Sequence, residues 1–162
     1  MPEISPLDLP RKPIFSWHEI ARKEVGVKEF VGIADNPRIV EYHATTSLRA
    51  TDDEIPWCSS FVNWVMVKAG YTATKSAAAR SWAKYGQQIT EPVPGCIVVM
   101  TRNGGGHVGF YESTQHGQIR VLGGNQDDAV NVKPFRPNRV IAYVLPTPLT
   151  DKDQTTYDQL RA

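Results

Sequence analysis

The sequence predicts an α+β protein, with helices in the N-terminal half and an antiparallel sheet of about five strands in the C-terminal half. Three observations carry this. Apolar residues recur three or four apart in the first half, most clearly between residues 55 and 69. From Cys96 onward come short β-type runs bounded by Gly, Asn, Asp or Pro. Between the two blocks lies Pro92-Val93-Pro94-Gly95, which has turn chemistry.

The elements follow in order. Residues 1–14 hold Pro2, Pro6, Pro10 and Pro13 and read as an extended arm. Ser16-Trp17-His18-Glu19 has the form of a capping box, in which the Ser16 hydroxyl and the Glu19 carboxylate each take the other's backbone N–H. The helix it opens should run to about Val25 and stop at Gly26. A second short helix is expected from Asn36, with Pro37 at its first position. TTSLRATDDE is polar and reads as a loop. The third helix is the clearest. Pro56 suits its first turn, Ile55, Cys58, Phe61, Val62, Val65, Met66 and Ala69 form one apolar face, and Gly70 ends it. A fourth, alanine-rich helix is expected over 76–85. Strands are expected over 96–102, 107–114, 118–125, 129–135 and 139–145. Residues 15–146 thus form the domain, and 147–162 are a polar tail, disordered or adding a helical turn or more.

Composition narrows the function. A chain of 162 residues is the size of one domain, and 41% hydrophobic with 22% charged residues is ordinary for a globular protein. A formal charge of +1 argues against nucleic acid as partner. No apolar run reaches the roughly 18–20 residues that a membrane span needs. The N-terminus lacks the basic and apolar regions of a secretory signal, so synthesis in the cytoplasm is expected. Cys58 and Cys96 are too few for a disulfide framework and form no CxxC pair. A single bridge between them stays open, though cytosolic proteins rarely keep one.

Cys58 stands where a helix N-terminus directs partial positive charge and unpaired N–H groups at a thiol, lowering its pKa. The plain alternative is a small buried hydrophobe. Of four histidines, His18 and His116 are expected to be exposed and idle, and His43 ends a short helix. His107 follows Asn103-Gly104-Gly105-Gly106 and opens the apolar run HVGFYES. Gln115-His116-Gly117 suits a three-residue hairpin loop. That register sets His107 opposite Asn125, so Asn125 can orient the ring and leave one nitrogen to face a thiol. Gln126 is the reserve for this role. Trp57, beside the thiol, either lines a substrate cleft or packs, and Asn36 and Tyr42 are candidates for the cleft edge. A zinc site from Cys58, Cys96, His107 and His43 fits no known spacing. Asp52, Asp53 and Glu54 lack the alternation of a calcium loop.

The ordered set WCSSFVNW, ARSWAKYG, PVPGCIVVM, GHVGFYES and GGNQ resembles the cysteine, histidine-dependent amidohydrolase/peptidase (CHAP) family, within the papain-like and NlpC-like cell-wall hydrolases. The likeness spans roughly Phe15 to Leu145. It implies a papain-like fold and hydrolysis of an amide bond in bacterial peptidoglycan, with no cofactor or metal for the chemistry. Cys58 would be the nucleophile, working as a thiolate paired with protonated His107, and Asn125 the polar third member. Trp57 and Gln126 are the candidate substrate-binding residues. The chain departs from the family pattern at Gly123, where many members carry an acidic residue, and at Cys96, where relatives often have Asp after Pro-Gly. By resemblance it is expected to be a monomer whose partner is peptidoglycan. A phage endolysin reaching the periplasmic wall through a holin-type lesion would look like this. So would an antibacterial amidase delivered by a secretion machine. The rival from another class is a catalytically inactive peptidoglycan-binding module.

Overall fold

The computed structural model describes residues 13–30, 35–47, 57–102 and 105–162. The N-terminal arm up to residue 12, the run 48–56 with Asp52, Asp53, Glu54, Ile55 and Pro56, and residues 103–104 of the expected glycine loop lie outside them.

Helices α1 (Ser16–Lys23), α2 (Pro37–His43) and α3 (Cys58–Lys68) precede strands β1 (Gln87–Ile89), β2 (Ile97–Arg102), β3 (Gly105–Gln115), β4 (Gln118–Gly123), β5 (Asn131–Phe135) and β6 (Val140–Leu145). Helix α4 (Asp151–Leu160) closes the chain. The strands form one antiparallel sheet in the order β1-β6-β2-β3-β4-β5. The α+β expectation therefore holds, with one strand more than expected. The extra strand, β1, is three residues of QQI with only Ile89 apolar, too short and too polar for a periodic signal.

Helix α2 begins as its sequence dictates: the Asn36 side chain accepts from Arg38 N–H, and Pro37 follows. Helix α1 does not form the capping box. Both the Ser16 N–H and its hydroxyl donate to the Asp153 carboxylate, at 2.8 and 2.7 Å, and Asp153 also accepts from the Tyr71 hydroxyl at 2.6 Å. Asp153 is fully buried on α4. The polar tail is thus a ten-residue helix whose first turn caps α1, with Thr150 in turn capping α4.

Helix α3 is buried on all sides from Cys58 to Met66, not on one face. Its polar residues are satisfied by long-range bonds. Ser59 Oγ donates to Ser76 C=O and accepts from Trp82 Nε1, Asn63 Oδ1 accepts from Lys75 N–H, and Ser60 Oγ pairs with His43 Nδ1 at 2.9 Å. The expected fourth helix is a six-residue 3₁₀ helix, Ala79–Lys84, held by buried Ala79 and Trp82. Cys58 and Cys96 are both free. His18 is buried, contrary to expectation, with Nε2 2.7 Å from Glu112, which also takes Arg22. These two partners hold the Glu112 carboxyl at about 2, against the opposing effect of its burial. Among the described residues, no helix is long and apolar enough to cross a membrane.

Candidate active site

Cys58 opens α3, with Trp57 at the N-cap position. Only 6% of it is exposed. Burial pushes its thiol pKa up, while the backbone N–H groups of Val108, Ser59 and Cys58 itself favour the thiolate and oppose that rise. Helix α3 packs on β3, the strand that carries His107 and Val108.

His107 sits on β3 opposite Met100 of β2 and is 2% exposed. Its ring packs against Phe135, with centroids 5.5 Å apart. Nε2 lies 2.9 Å from Gln126 Oε1. The Gln126 amide is oriented by its other bonds. Its NH₂ group donates to Val121 C=O, to Asn131 C=O and to Asn131 Oδ1, while Asn131 Nδ2 returns a bond to Gln126 C=O. Oε1 is left to accept, so the ring carries its proton on Nε2. Nδ1 is then the lone-pair nitrogen, and it is buried without a hydrogen-bond partner among the described residues. Burial lowers the His107 pKa to about 4; the Gln126 bond opposes this, and Arg102, Arg139 and Lys133 reinforce it. Burial thus favours the neutral form of both groups and opposes the thiolate–imidazolium pair that the family resemblance implies.

Gln126, not Asn125, holds the ring. The expected register is reached by an unexpected path. The hairpin has two loop residues, His116 and Gly117, both at positive φ, and Gln115 pairs with Gln118. A bulge between Tyr111 and Ser113 restores the pairing of Phe110 with Leu122. Strand β4 then ends at Gly123, two residues before Asn125 could face His107. Asn125 turns into the left-handed region at φ 56° and makes no hydrogen bond to the ring. The loop is pinned by the chain after α1: Gly26 N–H donates to Val130 C=O, Val130 N–H to Val27 C=O and Glu29 N–H to Asp128 C=O.

Trp57 does not line a cleft. It is fully buried, donates Nε1 to Glu29 at 2.7 Å and packs on Tyr42. A Cβ on Gly124 would stand 2.6 Å from its ring, so Trp57 is the floor under the Gly123-Gly124 turn. Tyr42 is likewise buried, bonded to Glu24. Asn36 is spent on the α2 cap and on Lys28 C=O.

Beside His107 lies a cavity of about 210 Å³ walled by Arg102, Asn125, Gln126, Asp127, Lys133, Phe135 and Arg139, among others. Its basic residues and the anchoring Asn131 carry no local motif, and only their place on neighbouring strands brings them together.

The CHAP domain family model matches residues 50–125. No curated protein matches the chain. Among solved structures, the fold is similar to RipD from Mycobacterium tuberculosis, described as a non-catalytic NlpC/p60 domain protein adapted to peptidoglycan binding. The TM-score is 0.50 and the identity 19%, over 82% of this chain and 95% of RipD. It is also similar to the peptidoglycan hydrolase RipB of the same organism, with TM-score 0.51 and 17% identity over 79% of this chain and 61% of RipB. At such identities the likeness is one of fold, and the chain spans under two thirds of RipB. The match to the CHAP family model holds Cys58 and His107 and stops one residue short of Gln126, and the α+β fold is similar to that of the papain-like NlpC/p60 proteins.

Proposed function

We propose that this protein hydrolyses an amide bond of bacterial peptidoglycan, with Cys58 as nucleophile, His107 as general base and acid, and Gln126 as the residue that positions the ring. The observation that carries this is the fixed tautomer of His107. Nε2–H is held by Gln126, and the basic Nδ1 is buried and unpaired among the described residues, on the strand against which α3 sets Cys58. His18 Nδ1 is likewise buried and unpartnered among the described residues, so what distinguishes His107 is the cysteine-bearing helix packed against its strand.

The reaction starts from neutral groups. Sγ attacks the carbonyl carbon as its proton passes to Nδ1. The N–H groups at the start of α3 face the developing oxyanion. Nδ1–H then gives its proton to the leaving amine as the C–N bond breaks, leaving a thioester on Cys58. Water attacks the thioester, Nδ1 takes the proton of water, and Sγ recovers it as the acid product leaves.

A second reading is favoured by the deep burial of Sγ and by the two neutral resting states: a wall-binding module that does not cut, as RipD is described. Digestion of purified sacculi separates the two. The hydrolase releases soluble fragments with wild-type protein and none with Cys58→Ala, and the new amine or carboxyl ends distinguish N-acetylmuramoyl-L-alanine amidase from stem endopeptidase. A module that only binds sediments with sacculi in both forms and releases nothing. For the biological setting we favour an endolysin-like lytic enzyme acting at the cell wall, over an exported antibacterial effector.

A further inference from the structure

We propose that the cavity beside His107 is a subsite for a free carboxylate on the leaving-group half of the substrate, with Arg102 and Arg139 as its specificity-determining residues. This deepens the hydrolase reading and rests on it for the side of the scissile bond.

The side follows from the chemistry. His107 protonates the departing amine, so a cavity walled by His107 and Gln126 but not by Cys58 adjoins the amine-bearing fragment. The charge follows from the lining. Three cations, Arg102, Lys133 and Arg139, face one anion, Asp127, and that anion is taken by Lys133 at 2.9 and 3.0 Å. The Arg102 side chain has no ion pair or hydrogen-bonded partner among the described residues. Arg139 is pre-positioned. Its Nε and Nη2 both donate to Thr101 C=O, at 3.1 and 2.8 Å, and its guanidinium lies 5.3 Å from the Phe135 ring centroid. That leaves Nη1 without a hydrogen-bonded partner among the described residues. Two guanidinium groups, one braced and one unpaired, in a partly enclosed site suit a planar carboxylate better than a neutral amide.

Peptide stems of the wall supply such carboxylates, and chemical amidation removes them. The test uses Cys58→Ala protein, so that nothing is turned over, and titrates stem peptides with free carboxylates against the same peptides with those groups amidated. The free-carboxylate form is expected to bind at least about tenfold more tightly at low salt. The preference should shrink to about threefold or less in Arg102→Gln and in Arg139→Gln, and to vanish in the double variant. Equal affinity for the two forms, binding of neither, or a full preference retained in the double variant overturns the proposal. Folding of each variant is checked by its thermal unfolding curve. Wild-type digestion of sacculi reads separately: cutting without a carboxylate preference overturns only this subsite, and a preference without cutting overturns only the hydrolase reading.

Discussion

Two residues titrate away from one another's needs in this site. Cys58 is held as a thiol and His107 as a neutral ring, both chiefly by burial. Alkylation of the free protein by iodoacetamide is therefore slow at pH 7 and rises about tenfold per pH unit into the alkaline range, as thiolate forms. A rate that is already at its plateau at pH 6 contradicts this. The same burial links to stability. The folded pKa of His107, about 4, lies below the unfolded value, so the unfolded chain binds the extra proton between the two. The contribution is complete above about pH 6.5 and is lost as pH falls toward about 4. His107→Gln should flatten the rise of unfolding free energy across that window, measured by urea titration at several pH values. Gln126→Ala should lower kcat by roughly 10- to 100-fold, because the ring loses its fixed tautomer but not its lone pair. Asn125→Ala should cost less than that, and equal losses would mean that Asn125 acts on the substrate. The sequence nominated Cys58 and His107 together, and the structure sets them on two elements that pack against each other, α3 and β3. The third residue was not legible in the sequence, because strand register extends only as far as the strand, and β4 ends at Gly123.

At the scale of elements, the site depends on two glycines and a helix. A Cβ on Gly123 would lie 2.6 Å from Gln126 Oε1 and 3.5 Å from His107 Nε2. Gly123→Ala should therefore reduce activity with a smaller effect on stability, read by kcat beside the thermal midpoint. The C-terminal helix was the element least legible in sequence. Its residues are polar because α4 is mostly solvated, and its one decisive side chain, Asp153, works across 137 positions at Ser16. Asp153→Ala should destabilise the fold by about 2–4 kcal/mol, since it strands the Ser16 and Tyr71 donors in a buried site, with chemical denaturation as the measure. Helix α3 misled in a related way. Its polar Ser59, Ser60 and Asn63 mimic a solvated face, and the partners that let them be buried, Ser76, Trp82 and His43, sit elsewhere in the chain.

At the scale of the molecule, the order of helices then strands fixed the class from sequence, and the sheet places both halves of the chemistry. Helix α3 brings Cys58 to the face of β3, and the end of β2, strand β5 and the 3₁₀ turn before β6 bring Arg102, Lys133 and Arg139 to the cavity beside His107. A net charge of +1 concealed that wall, because charge that cancels over the whole chain does not cancel locally. The central claim is that Cys58 carries the acyl group, and one measurement addresses it directly. Wild-type protein is mixed with a peptidoglycan stem peptide, quenched in acid within the first turnovers, digested, and the peptide containing Cys58 is weighed by mass spectrometry. The account predicts a thioester adduct on Cys58 with the mass of the acyl fragment, lost on neutral hydroxylamine treatment and absent in His107→Ala. Turnover of the peptide with no adduct on Cys58, undiminished in Cys58→Ala, would contradict it.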